Sequence, residues 1–239
     1  MESIENPKKK ASPWLEAAGY GCATLLVAGV VLGSLRILPG LTAFYLFALG
    51  GLFGLVVSAL TLIQALRGHG LGPGRALGFG AMLTFVVSAL LQESGPTTND
   101  FTTDLREPPG FVHAAQLEPN RGRSLEYDPS FAEPQRECCA DLKTLRLPTS
   151  LPESFARALS LAKQMPGWQV TSEAPGEGRI EAVAETRVFG FKDDIVIRLR
   201  AAGSGTDVDV RSKSRDGRGD LGANAKRIRA YLSKLAENA

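Results

Sequence analysis

The segment richest in groups that could bind or do chemistry is Arg211-Ser212-Lys213-Ser214-Arg215-Asp216-Gly217-Arg218-Gly219-Asp220. Guanidinium, ammonium and hydroxyl donors gathered this densely are the means by which proteins hold phosphate or carboxylate. The loop leads into a helical pattern, and the free N–H groups of a helix start add positive partial charge for an anion. Arg215 and Arg227 form the candidate clamp, with Ser212, Ser214 and Asn224 as neutral donors and Arg211 as a further ligand-binding candidate. Asp104, Asp193, Asp194 and Asp220 are the candidate acid partners. In the competing reading the loop is structural: Asp220 caps the helix, the glycines make the turn, and the arginines pair with Asp193, Asp194 or Asp104. A catalytic version makes Asp193 or Asp194 a general base, with the arginines stabilising negative charge. Neighbours on a strand face opposite ways, so these two acids act as a pair only if the backbone turns there. Residues 198–234 carry ten Lys/Arg against four Asp/Glu, and residues 100–197 carry 16 acids against 11 bases, so the positive charge gathers at this end. Arg218-Gly219-Asp220 also spells an adhesion tripeptide, a coincidence of three common residues.

These groups need a scaffold, and the alternation of apolar and polar residues supplies one. Residues 168–173, 179–188, 194–201 and 206–213 have the period of strands with one face buried, and residues 141–147 are a candidate first strand. A turn at 202–205 sets Arg200 opposite Asp207 and Arg198 opposite Asp209, with Ile195, Ile197 and Leu199 on the other face beside Val208 and Val210. One face is therefore expected to be a solvated charge ladder and the other a core. Ser150-Leu151-Pro152-Glu153 reads as a capping box opening a helix with Phe155, Leu159, Ala162 and Met165 on one stripe, stopped by Gly167. A last helix over 220–235 places Leu221, Ala225, Ile228, Leu232 and Leu235 where they can cover the sheet. The expected fold class is three α-helical transmembrane segments followed by an α+β domain, an antiparallel sheet of four to five strands with two helices.

The membrane part follows from where charge is missing. Residues 1–97 hold six Lys/Arg and four Asp/Glu, whereas residues 98–239 hold 21 of each. Residues 17–35 are an uncharged run of 19. Residues 37–66 are a second, broken by Pro39-Gly40 so that 41–66 is the helix, and residues 76–92 a third, of 17, with Arg75 placed to snorkel outward. No small-residue cleavage site follows the first run, which argues against a signal peptide. Lys8, Lys9 and Lys10 precede the first helix and Arg67 and Arg75 flank the second loop, while the first loop offers only Arg36. The positive-inside tendency then puts the amino terminus in the cytoplasm and the carboxyl-terminal half across the membrane, in agreement with the three acids and no base of residues 93–104. The expected organisation is a cytoplasmic segment 1–16, a three-helix transmembrane region 17–92, an extended Pro-rich linker 93–137 and an extracytoplasmic α+β domain 138–239. Gly29 and Gly33, and Gly50 and Gly54, form small-xxx-small pairs that serve either packing of the three helices or a homo-oligomer. No Asp, Glu or Lys lies within a span, which leaves a transporter without a carrier for protons or ions.

Asn99-Asp100-Phe101-Thr102-Thr103-Asp104, Pro108-Pro109, Gly167-Trp168, Phe191 with Asp193-Asp194, Arg198, the Arg211-Ser212-x-Ser214-Arg215-x-Gly217 tail motif, Asp220-x-Gly222-x-Asn224 and Arg227-Ile228 together resemble the bacterial domain-of-unknown-function family 1499. The resemblance covers about residues 99–235 and implies hydrophobic amino-terminal helices such as members of that family often carry; it implies no activity. Together with the orientation read from charge, the expected setting is a bacterial inner membrane with the domain in the periplasm. Cys138-Cys139 departs from the family pattern, and is read as a vicinal disulfide or a metal-binding pair with His113. Adjacent cysteines lack the spacing of common zinc sites, so no metal is expected, and no cofactor either. With only His69 and His113 in the chain, a Ser-His-Asp hydrolase has little to build on. No phosphate loop or dinucleotide-binding glycine fingerprint occurs, and a net charge of +2 gives no warrant for nucleic-acid binding. The function expected is a membrane-anchored binding or scaffolding protein whose partners are the lipid bilayer and an anionic lipid, glycan or envelope protein. The alternative is an envelope hydrolase.

Overall fold

The structure, a computed structural model, describes residues 12–91, 98–217 and 219–237. Lys8 to Lys10, residues 93–97 and Arg218, on which parts of the reading above rest, lie outside the described residues. The chain forms two compact units, one holding the first three helices and one holding the sheet.

The first unit contains α1 (Pro13–Ser34), α2 (Gly40–Leu66) and α3 (Pro73–Leu90), of 22, 27 and 18 residues. All three are long and apolar enough to cross a membrane. Their outward faces are as greasy as their inward ones: Val27, Leu52, Phe53, Val56, Leu62 and Leu83 are exposed, the pattern of helices with an apolar surrounding on every side. The four stripe glycines let the helices of this chain approach one another. A Cβ on Gly29 would lie 2.5 Å from the Phe47 nitrogen, on Gly33 2.9 Å from the Ala43 Cβ, on Gly50 2.6 Å from the Leu26 nitrogen, and on Gly54 2.9 Å from the Gly78 oxygen. These faces are thus taken up inside the chain, and a homo-oligomer through them would displace helix–helix contacts. Arg75 does not snorkel. It is fully buried, its Nε is 3.2 Å from the Glu16 carboxylate, and its Nη2 donates to Gln64 at 2.7 Å. In apolar surroundings an acid on a neighbouring helix offsets a buried charge that would be costly alone.

The second unit has six strands, not four to five: β1 (Asp100–Thr102), β2 (Leu145–Leu147), β3 (Trp168–Ala174), β4 (Arg179–Glu185), β5 (Lys192–Ala202) and β6 (Gly205–Ser214). All pairings are antiparallel, in the order β1-β6-β5-β4-β3, with β2 also on β6. β1 comes from the stretch read as a linker, and β2 is what remains of the strand expected at 141–147. Its helices are α4 (Ala132–Cys138), α5 (Leu151–Gln164) and α6 (Ala223–Glu237). The β5–β6 turn fixes Arg198 opposite Asp209 and Arg200 opposite Asp207, as the alternation requires. Gly203 stands at φ +55°, which a glycine enters without steric cost.

Two local expectations change. Ser150 makes no side-chain cap on α5; Glu153 instead bonds Arg157 one turn on, at 2.8 Å. Leu221 leaves the α6 stripe, with φ +53° and an exposed side chain, because α6 starts only at Ala223. Tyr231 takes the missing place: it is fully buried, stacks on Trp168 with ring centroids 5.2 Å apart, and donates its hydroxyl to the Ala158 carbonyl at 2.8 Å.

The larger change concerns the face that carries the charges. Ile195, Ile197, Leu199, Val208 and Val210 pack into an apolar core with residues of α5 and α6, as expected. The opposite face is solvated at its Arg200–Asp207 end, where the two side chains are 41% and 30% exposed. Elsewhere on that face Glu181, Asp194, Asp209 and Arg211 are buried under residues 98–137, which run as short turns at Ala114–Gln116, Glu118–Asn120 and Pro129–Phe131 and then as α4. Prolines keep most of this stretch from forming longer regular elements, and free backbone groups within it are met by the sheet's charges. The Gln135 amide closes the layer, accepting the Thr102 N–H at 3.1 Å and donating to the Thr102 carbonyl at 2.6 Å.

Candidate functional site

Because side chains alternate along β5 and β6, the predicted site residues are divided between the two faces of the sheet. Ser212, Ser214 and Asp193 point to the helix side. Ser212 donates to the Asn224 carbonyl oxygen at 2.5 Å, and the Asn224 amide donates to the Ser214 hydroxyl at 2.9 Å. Arg227 completes this group, with Nη1 2.7 Å from Asn224 and Nη2 2.5 Å from Asp193. Asp220 caps α6, accepting the N–H groups of Gly222 and Asn224 at 3.0 and 2.6 Å. Burial raises the pKa of Asp220, and the nearby charge of Asp193 adds to the rise. The amides of the helix start and the hydroxyls beside them are therefore engaged by the protein's own groups.

Asp194, Arg211 and Arg215 belong to the loop-covered face. Arg215 grips Asp194 with Nη2 at 2.6 Å and Nε at 3.1 Å, and the Asn120 amide donates to the same carboxylate at 2.9 Å. Asp193 and Asp194 thus point away from each other, each buried and ion-paired. Further along, the Asp209 carboxylate takes hydroxyls from Thr103 at 3.1 Å and Thr144 at 2.6 Å and guanidinium contacts from Arg198 and Arg200. Asp104 bonds the same two arginines. Burial opposes the charge of Asp104, but N–H groups of Glu107 and Arg106, followed by the two arginines, outweigh it and lower its pKa. Asp207 finds Arg146 of β2 at 2.7 Å instead of Arg200.

Arg211 ties this face together. Nε and Nη2 hold Asp100 at 2.9 and 2.7 Å, while Nη1 and Nη2 donate to the carbonyls of Pro109 and Leu125 at 3.1 and 2.8 Å. Its Cζ lies 4.8 Å from the Phe111 ring centroid and 5.4 Å from that of Tyr127, within the range of cation–π attraction. One guanidinium therefore fixes three points of the loop layer. Glu181 fixes a fourth, its buried carboxylate accepting the consecutive N–H groups of Val112, His113 and Ala114 at 2.9, 2.9 and 2.7 Å.

Between these anchors the layer leaves an open cleft of about 490 Å³, lined by Gly110, Phe111, Arg123, Leu125, Tyr127 and Arg211 among others. The volume falls in the range of small-molecule sites. The Tyr127 hydroxyl is buried without a hydrogen-bond partner among the described residues. Its pKa is pushed up to about 12, by burial first and by Asp100 second, so at neutral pH it stays protonated. Of the candidates read from sequence, only Arg211 reaches this cleft. Asp100, Phe111, Arg123, Tyr127 and Glu181 were missed, although Asp100 lay inside the motif that carried the resemblance. His113 and the cysteines form no metal cluster: no group of three or more metal-ligating side chains occurs among the described residues.

Three membrane-length helices followed by an antiparallel α+β domain under a layer of turns define the class of protein. The family model described as protein of unknown function (DUF1499) matches residues 100–235, and the chain belongs to that family. The matched range starts at β1 and ends in α6, so the loop layer is part of the family's domain. No curated protein matches the chain.

Proposed function

We propose that the chain is a membrane-anchored binding protein whose α+β domain takes a small ligand in the cleft beside Arg211. The observation that carries this reading is an open, largely apolar cavity whose walls are held in place by buried ion pairs. The arginines and hydroxyls of residues 211–215, together with Asn224 and Arg227, support a structural role, since each is engaged with an acid, an amide or a carbonyl. Four of the five N–H groups of Arg211 are already used by the protein. The ligand chemistry favoured is accordingly a mainly apolar body with one polar group, not a fully charged anion.

Gly110 lines the cleft and a Cβ there meets nothing within 4 Å, so Gly110→Trp adds an indole beside the cleft without a clash at its Cβ. In residues 98–239, which hold an apolar core of their own, the uncharged dye N-phenyl-1-naphthylamine should brighten on binding the parent and lose most of that signal in Gly110→Trp at unchanged melting temperature. Equal signals in parent and variant would remove the cleft from consideration. In this reading the domain stands on the extracytoplasmic side of a bacterial inner membrane, supported by Lys8 to Lys10, Arg67 and the acids of 93–104. Alkaline phosphatase fused at the carboxyl terminus is expected to be active, and an inactive fusion with a bright cytoplasmic fluorophore at the same place reverses the orientation.

A further inference from the structure

Cys138 and Cys139 are joined by a disulfide between adjacent residues. A disulfide stabilises a fold mainly by shortening the loops open to the unfolded chain, and that effect grows with the length of chain enclosed. Adjacent cysteines enclose almost none. Their surroundings are held by other means: the Cys139 N–H bonds the Gln135 carbonyl at 2.9 Å, the Leu142 N–H bonds the Cys139 carbonyl at 3.0 Å, and the Gln135 amide pairs with Thr102. The bond is therefore not the staple of this region. The two sulfurs also differ in access, since Cys138 is exposed at the end of α4 while Cys139 is buried in the apolar core of the domain.

We propose that Cys138–Cys139 is a thiol–disulfide exchange site that accepts two electrons from a dithiol. A thiolate of the dithiol attacks the exposed Cys138 sulfur, the S–S bond breaks, and Cys139 leaves as a thiolate that takes up a proton. The second thiol of the reductant then attacks its own sulfur in the mixed disulfide, releasing Cys138. The dithiol ends as a cyclic disulfide and the protein gains two electrons and two protons, as two thiols. Exposure of Cys138 and the small structural contribution of the bond both favour exchange at this place.

The test uses the full chain in detergent with Cys22→Ala, so that the only thiols belong to the pair. Under native conditions dithiothreitol should raise the mass by two hydrogens; maleimide should then add once to the native protein, at Cys138, and twice after unfolding, while oxidised glutathione added in place of maleimide should restore the unreactive form. The melting temperatures of the two forms should differ by less than about 3 °C, the shift of about 1 kcal/mol in a domain of this size. Cys138→Ser, which leaves the core intact, should melt with the parent and show no two-hydrogen step. Maleimide addition without reductant, reduction only in denaturant, or a loss of about 10 °C on reduction would each overturn the proposal.

Discussion

Toward α5 and α6 the sheet turns Ile195, Ile197, Leu199, Val208 and Val210, and toward the loop layer it turns Asp194, Arg198, Asp209, Arg211 and Lys213. Both faces are covered, but the first gains from burying apolar area, which is tolerant of small displacements. The second is favourable only while every charge keeps its partner, because a lone buried charge is costly and a complete network is not. The difference explains where a cleft with fixed walls can exist. Apolar layers close over gaps by repacking, whereas the ion pairs of Arg211 and the three N–H groups taken by Glu181 hold the turns apart at set positions.

The comparison is tested most severely at Arg211. Arg211→Ala leaves Asp100 with Lys213 alone, at 2.9 Å, and should cost about 3–5 kcal/mol in urea unfolding of the domain. A loss no larger than about 1 kcal/mol, the size of an exposed ion pair, would mean that the loop layer is held by something other than its charges. Glu181→Gln keeps the shape but removes the charge facing the three N–H groups and Arg179. It should cost about 1–3 kcal/mol and increase hydrogen exchange at residues 112–114 while leaving α6 protected. Exchange rising equally in both layers would show that the two faces open as one.

The smallest effect is expected at Asp220, on the helix side. Its pKa is raised by burial above the ordinary 3.8, so the folded state keeps its proton to higher pH than the unfolded chain does. Stability contributed by this group then falls as pH rises from 3.8 through the raised value, and is constant above it. Asn caps about as well as Asp. Asp220→Asn should therefore match the parent at the acid end and become more stable than it, by about 1 kcal/mol or less, as the mildly acidic range is crossed. A difference that does not vary with pH would show that Asp220 titrates alike in the folded and the unfolded chain.

The sequence is legible where periodicity governs. The alternation over 194–201 and 206–213 gives the β5–β6 register, and charge-free runs locate three helices. It is not legible in residues 98–137. Turns built on proline carry no period, and a three-residue strand such as β1 is too short to show one. The cleft residues Phe111 and Tyr127 lie in that stretch, so their meeting at Arg211 depends on contacts across about 85–100 positions of chain, which no local pattern encodes. The charge ladder misleads for a related reason: alternation shows that Arg198 and Asp209 share a face, but not whether water or protein covers it. The donor-rich loop was a true cluster whose donors answer to Asp193, Asp194 and Asn224, and spacing alone does not distinguish a waiting site from a finished network.

Gln135 has an effect that reaches past its own two hydrogen bonds. The outermost strand of a sheet offers unpaired backbone groups on which another chain can build, and β1 is outermost on its side. By answering both the N–H and the carbonyl of Thr102, one side chain imitates the neighbour that would come next. At Thr102 that rim is closed to recruitment by copies of the domain, which leaves the far rim, at β3, as a place where another strand could be added.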